Sequence, residues 1–224
     1  VLMPSFEGHI KNHLPKAKTV VIGNAIPQFD FSANLAAEKK QYKIIFVGRL
    51  SKNHKRPHLL LEAFNNIAAK YPEWIVEIWG AVDNKAYYME LKNFIKLHGL
   101  TERVFLKGTT DKVPQVLKDA DIFAFPSAYE GFGMALAEGM SVGLPAIGYK
   151  SCPAVNELIN DGKNGILCED GAEAFSMALK QLMENKDLRI KMGKNAKFDM
   201  QQYAPEVIWD KWECLLNKIL INSR

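Results

Sequence analysis

The chain has 224 residues, of which 48% are hydrophobic and 24% are charged, a composition typical of a globular domain. Its 29 basic and 25 acidic side chains are interleaved, and the net charge of +4 is too small and too dispersed to predict a nucleic-acid-binding surface. The 3 cysteines, far apart in the sequence, form neither a disulfide framework nor a zinc-binding pattern, which favours a reducing, cytoplasmic location. No apolar run reaches the roughly 18 to 20 residues that a membrane span requires.

Residues 1–27 combine a mixed polar stretch with a short apolar run at 19–27. We predict that they form an interdomain connector, the remnant of a missing N-terminal domain. Residue 1 is a valine, and the opening stretch resembles the interior of a longer sequence. We therefore expect the chain to be a piece excised from a longer protein.

Residues 28–204 alternate between β-branched apolar runs and segments with helical periodicity. Strands are predicted at 43–48, 74–80, 104–106, 122–126, 145–149 and 164–168, and helices at 58–70, 87–98, 113–118, 133–141 and 154–159. Strands that are apolar on both faces and alternate with helices indicate an α/β fold, a Rossmann-like parallel sheet with helices on both faces. Residues 205–224 are predicted to form an amphipathic C-terminal helix.

The most informative motif follows the predicted strand at 122–126 and opens a helix. Its sequence is Glu130-Gly131-Phe132-Gly133-Met134-Ala135-Leu136-Ala137-Glu138. Glycines beside a helix start let the main chain approach a ligand closely, and the free N–H groups of the first turn suit an anion such as diphosphate.

The two carboxylates of this motif are separated by at most roughly 12 Å of helical rise. Glycosidase carboxylates lie closer together, at roughly 5 to 9.5 Å, because they straddle one bond. Glu130 and Glu138 therefore match hydroxyl groups at the two ends of a nucleotide-sugar, since each carboxylate can accept two hydroxyl donors.

A cationic loop, residues 48–57, follows the first strand and lies at the same predicted sheet edge. Arg49 offers a planar fork of donors and Lys55 a compact charge, and both suit phosphate oxygens. The loop lacks the Walker pattern, and the chain has no complete G-x-G-x-x-G fingerprint. The histidines at 54, 58 and 98 show no metal-ligand spacing, so no metal site is predicted.

Taken together, these segments resemble the carboxy-terminal domain of family 4 retaining glycosyltransferases, also called group 1, which have the GT-B fold. The resemblance runs from about residue 20 to the end. It is carried by the segments 21–24, 46–50, 104–108 and 120–127, by the E-x7-E pair, and by 143–145, 156–159, 161–162 and 164–165. Residues 150–154 depart from it, because many members carry a glycine pair there.

The resemblance implies specific roles. Arg49 and Lys55 would bind the donor diphosphate, Glu130 the hydroxyls of the donor sugar, and Glu138 the ribose diol, so Glu130, Arg49 and Lys55 are the expected catalytic residues. The full set expected to bind the donor is Gly48, Arg49, Lys55, Lys107, Gly108, Thr109, Glu130, Gly131, Phe132, Gly133, Met134, Ala135, Leu136 and Glu138. Residues 106–109 would form the base pocket.

The implied reaction transfers a hexose, with retention, from a nucleotide-diphosphate sugar to a glycan or lipid-linked acceptor in bacterial surface polysaccharide or lipopolysaccharide synthesis. A UDP-sugar is favoured, and no cofactor or divalent metal is expected. The acceptor would bind the missing N-terminal domain, so this chain alone should be inactive. The whole enzyme is expected in the cytoplasm or at the cytoplasmic face of the inner membrane. Two alternatives stay open: a nucleotide-sugar epimerase or phosphorylase, and a non-catalytic nucleotide-sugar-binding module.

Overall fold

A computed structural model describes residues 1–222 and contains a six-stranded parallel sheet in the order β3-β2-β1-β4-β5-β6. The strands are β1 Tyr42–Val47, β2 Trp74–Trp79, β3 Val104–Gly108, β4 Ile122–Phe125, β5 Ala146–Tyr149 and β6 Gly165–Cys168. The six predicted strands and the α/β, Rossmann-like fold class are confirmed. Chain order reverses between the adjacent strands β1 and β4, and such a switch point is where parallel α/β sheets bind ligands.

The helices are α1 Pro4–His13, α2 Pro57–Asn65, α3 Lys85–Leu97, α4 Val113–Lys118, α5 Met134–Ser141, α6 Val155–Leu158, α7 Ala172–Glu184, α8 Lys186–Met200 and α9 Pro205–Asn222. The helix predicted at 58–70 ends earlier, at Asn65, and is followed by a separate 3-10 turn, Ala68–Lys70. Helix α3 begins after Asn84, whose side-chain oxygen accepts hydrogen bonds from two N–H groups of the first turn.

The central part of the sheet is buried on both faces, as its sequence predicts, whereas the edge strand β3 is partly exposed. All four residues of β4 and all four of β5 are buried. Their apolar side chains face helices on either side, and burial of this kind is the main source of stability in such a fold. The short, buried central strands hold the loops at their carboxyl ends in fixed positions.

Segments near both ends of the described chain contain buried side chains. The predicted connector at 1–27 contains a helix, α1, that the sequence pattern did not reveal, and Met3, Ile22 and Ile26 of this segment are buried. In α9, Ile208 is buried, whereas Trp209 remains exposed. The boundaries of the connector, domain and C-terminal helix stay a prediction, and residues 223–224 of that helix lie outside the described part of the chain. None of the helices described within 1–222 is both long and apolar enough to cross a membrane.

Candidate functional site

The loops that follow β1 and β4 meet at the switch point through an ion pair. The ammonium of Lys55 donates to Oε1 of Glu130 at 2.5 Å. The Glu130 side chain is 9% exposed and the Lys55 side chain 19%, and Lys55 Nζ also lies 4.8 Å from the centre of the Phe125 ring. Two residues predicted independently from separate motifs are therefore in direct contact in a partly desolvated position.

The loop after β1 owes its shape to close packing of main chain. The N–H of Gly48 donates to Trp79 at the end of β2, and a Cβ on Gly80 would lie 1.8 Å from the carbonyl oxygen of Gly48. The Ser51 hydroxyl then accepts a hydrogen bond from the Lys55 N–H at 3.1 Å. These contacts turn the loop back on itself and direct Lys55 toward β4.

Arg49 lies at the same sheet edge but does not touch the Lys55–Glu130 pair. Its side chain is 71% exposed, and its guanidinium is 3.9 Å from the carboxylate of Asp83. An exposed pair at this distance contributes little energy. The Arg49 guanidinium can therefore exchange this partner for an anionic ligand.

The start of α5 provides main-chain donors next to Glu130. Gly133 has a left-handed backbone (φ 87°), and the first helical hydrogen bond runs from Ala137 to its carbonyl. Within residues 1–222, the N–H groups of the three residues between them, 134–136, have no acceptor. A Cβ on Gly131 would meet no atom within 4 Å. Open space and free donors thus coincide at a helix N-terminus, which attracts anions.

Glu138 lies one turn further along α5 and is half-buried. No donor among the described residues pairs with its carboxylate, and burial raises its pKa. A carboxylate that loses water without gaining a protein partner is poised to accept hydrogen bonds from a ligand.

Lys107, Gly108 and Thr109 are exposed at the carboxyl end of β3. The ammonium of Lys107 lies 5.5 Å from the centre of the Trp79 ring, and the Gly108 carbonyl accepts from Gly80. They share the sheet edge with the ion pair, but β2 separates β3 from β1. Their assignment to a base pocket stays a prediction.

The N-terminal segment supports the start of α5, which the sequence did not indicate. The Asn24 amide is 3.4 Å from the Met134 sulfur, and Gly23 fits between the rings of Phe132 and Tyr203. Only the glycine itself could have signalled this contact, because a Cβ there would lie 2.8 Å from the Tyr203 ring.

The loop after β5, where the glycine pair is absent, carries a buried thiol close to the site. Desolvation raises the pKa of Cys152 to about 12, and the nearby carboxylate of Glu130 adds to the effect. Ala154 adopts a left-handed backbone with φ 65°, a conformation that favours glycine. Because its pKa is raised, the Cys152 thiol stays protonated and acts as a small apolar side chain rather than as a nucleophile.

Comparison with known proteins identifies the family. Residues 27–199 match the family of glycosyl transferases group 1. The chain belongs to this family. It is 28% identical over 197 residues to an uncharacterized glycosyltransferase of Haemophilus influenzae, covering 88% of this chain and 55% of the relative. It is 30% identical over 220 residues to the amylovoran biosynthesis glycosyltransferase AmsD of Erwinia amylovora, covering 93% of this chain and 60% of that protein.

Among solved structures, this group 1 domain is similar to a variant of S. aureus TarM in complex with fondaparinux, alpha-GlcNAc-glycerol and UDP. The two share a TM-score of 0.86 and 25% identity over 97% of this chain and 43% of TarM. The chain spans little more than half the length of the Haemophilus influenzae and Erwinia amylovora relatives. The predicted membership of the group 1 glycosyltransferases is confirmed.

Proposed function

We propose that this chain binds the donor of a glycosyl transfer, a nucleotide-diphosphate sugar, at the carboxyl edge of the sheet between β1 and β4. The observation that supports it most strongly is the ion pair of Lys55 and Glu130 beside the acceptor-free N–H groups of α5. Cations and free N–H donors suit a diphosphate, and a buried carboxylate suits sugar hydroxyls.

In this proposal each charged group has one task. Glu130 occupies one of the three N–H donors of Lys55 and leaves two for phosphate oxygens. Arg49 gives up its weak contact with Asp83 and forks across the diphosphate. When the bond between the sugar and the diphosphate breaks, negative charge develops on the leaving nucleotide, where both cations and the helix dipole stabilise it. The proposal needs no divalent metal and no cofactor.

The two carboxylates would then bind the two ends of the donor. Glu130 accepts hydrogen bonds from sugar hydroxyls, helped by the main chain of 131–136, and Glu138 accepts them from the ribose diol. UDP is the favoured nucleotide, a choice supported by the UDP in the similar TarM structure. Hexose as the transferred sugar and retention of configuration follow from the resemblance to family 4 enzymes.

For the whole protein we propose transfer to a glycan or lipid-linked acceptor in surface polysaccharide synthesis, in line with the amylovoran pathway for which one relative is named. The acceptor would bind a domain N-terminal to this chain, so the chain alone should bind donor without turnover. Membership of the glycosyltransferase family favours this over an epimerase or a phosphorylase. A non-catalytic binding module would bind the same nucleotides but would lack transfer in the full-length protein.

Calorimetric titration of the chain with UDP, GDP, ADP and their sugars tests the donor site. Lys55→Ala and Arg49→Ala should each weaken binding of the preferred diphosphate by roughly 1.5 to 3 kcal/mol, the value of a charge-assisted hydrogen bond. Lys52→Ala is the matched control, because this lysine of the same loop is 55% exposed and pairs with Glu90. If the Lys55 and Arg49 variants bind as tightly as the Lys52 variant, the site is misplaced.

The ribose contact has its own test. Glu138→Ala should weaken UDP binding but leave inorganic pyrophosphate binding unchanged, because pyrophosphate has no ribose. Equal effects on both ligands would show that Glu138 does not bind ribose.

A further inference from the structure

Arg56 adopts an unusual backbone at the end of the loop after β1. It is one of two non-glycine residues within 1–222 with positive φ, at φ 49° and ψ 45°. An arginine gains nothing from a left-handed backbone by itself. Its main chain is held by two hydrogen bonds, from the Arg56 N–H to the Ser51 carbonyl and from the Leu59 N–H to the Arg56 carbonyl, and its side chain makes further contacts.

The Arg56 side chain contacts residues at or just after the ends of three strands, β4, β5 and β6. Its Nε donates to the carbonyl of Pro126 at 2.9 Å, and its Nη2 to the carbonyl of Ser127 at 3.1 Å. The same Nη2 lies 3.3 Å from Oδ1 of Asp170, which follows β6. The guanidinium stacks 4.9 Å from the ring centre of Tyr149, the last residue of β5. Arg56 itself follows β1.

These contacts connect the two loops that carry the ion pair. Arg56 is bonded covalently to Lys55, and the carbonyls that it binds begin the segment leading to Glu130. The Arg56 side chain is only 19% exposed, whereas that of Asp170 is 47% exposed. The guanidinium thus contacts main-chain carbonyls, a carboxylate and an aromatic ring of the protein.

We infer that Arg56 is a positioning residue for donor binding, which fixes the distance between Lys55 and Glu130 without touching the nucleotide-sugar. The inference rests on the proposed function and deepens it. A second link, from the Ala128 N–H to the His54 carbonyl at 2.8 Å, holds the same two loops together. Loss of the Arg56 side chain should therefore loosen the pair while the fold survives.

The test combines substitutions at positions 56 and 55 with UDP as the probe. Arg56→Gly relieves the left-handed backbone and removes the side chain, and we expect the dissociation constant for UDP to rise roughly tenfold, as for a lost hydrogen-bonding group. Arg56→Lys, which keeps the charge but loses the planar fork, should give an intermediate value. In a Lys55→Ala background, Arg56→Gly should change UDP affinity by less than about twofold, because the group that it positions is already gone.

Arg103 provides a matched control. Its guanidinium also donates to two main-chain carbonyls, of Trp74 and Tyr71, but it precedes β3 at the opposite edge of the sheet. Arg103→Gly should lower the melting temperature and leave UDP affinity unchanged.

Three results would overturn the inference, and they can be told apart. If Arg56→Gly behaves like Arg103→Gly, Arg56 is only structural. If its effect adds fully to that of Lys55→Ala, Arg56 contacts the ligand or acts by another route. If Lys55→Ala has no effect on UDP binding, the donor site itself is wrong, and the inference fails with it.

Discussion

Replacing Lys55 by methionine tests how much the Lys55–Glu130 ion pair stabilises the ligand-free chain. Methionine keeps an unbranched side chain of nearly the same length over the Phe125 ring and removes the ammonium group, with its charge and its hydrogen-bond donors. Glu130, with a 9% exposed side chain, would then have no cation among the described residues, because Lys55 is its one ion-pair partner there. An uncompensated carboxylate in a desolvated position is costly.

The size of the loss follows from the burial of the two side chains. Removing one partner of a fully buried pair costs about 3 to 5 kcal/mol, and because the Lys55 side chain is still 19% exposed, we expect a loss of about 2 to 3 kcal/mol. For a chain of this size that corresponds to a fall in melting temperature of about 4 to 12 °C. Urea denaturation followed by circular dichroism measures the free energy of unfolding, and calorimetry measures the melting temperature.

Two comparisons make the result decisive. Lys52→Met breaks a pair in which both side chains are 55% exposed and should cost less than about 1 kcal/mol. The double variant Lys55→Met with Glu130→Met should be more stable than Lys55→Met alone, because it removes the stranded charge. If Lys55→Met costs no more than Lys52→Met, or if the double variant loses the sum of both single effects, the ion pair does not stabilise the site in the way described.

Three further predictions concern other positions. Burial raises the pKa of Glu138. The ligand-free fold should therefore lose stability as the pH rises from the pKa of an unfolded carboxyl through the raised value, because the buried group must then ionise. Glu138→Gln should remove this pH dependence and raise the melting temperature at pH 7, and an unchanged pH profile would contradict the prediction. Gly80→Ala places a Cβ 1.8 Å from a carbonyl oxygen at φ 154° and should cost on the order of 3 kcal/mol or more in urea denaturation, whereas near-normal stability would rule out the close approach. Cys152 and Cys168 are buried with pKa values raised to about 12, and Cys214 is exposed, so Ellman's reagent at pH 8 should titrate one thiol in the native chain and all 3 in denaturant; rapid reaction of a second native thiol would refute the burial.

The fold was predictable because its signals are local. β4 and β5 are short apolar runs followed by glycine- or proline-containing turns, and the glycine-flanked motif marks the start of α5 directly. The sequence does not predict helix α1, because the helix carries no clear apolar stripe. In the structure, none of its residues is buried. It is held instead by a distant partner, since the Ser5 N–H and hydroxyl donate to the carboxylate of Glu157.

The sequence predicts which edge of the sheet carries the candidate site, but not the side-chain contacts within it. Parallel topology brings the loops after β1 and β4 together, and this placed Lys55 and Glu130 near each other without requiring that they bond. Their contact joins residues 75 positions apart, and its geometry depends on Arg56. A left-handed arginine before a proline has no sequence signature, because propensity at that position favours an extended backbone.

Gly23 lets three distant parts of the sequence meet at one point. One hydrogen atom in place of a side chain lets the aromatic rings of Phe132, from the middle of the sequence, and Tyr203, near its end, meet edge to face at 5.2 Å against the opening segment. Trimming either terminus up to this junction would strip one wall from the ring that immediately precedes Gly133. Both ends of the sequence therefore help to hold the start of α5, where we propose that the donor binds.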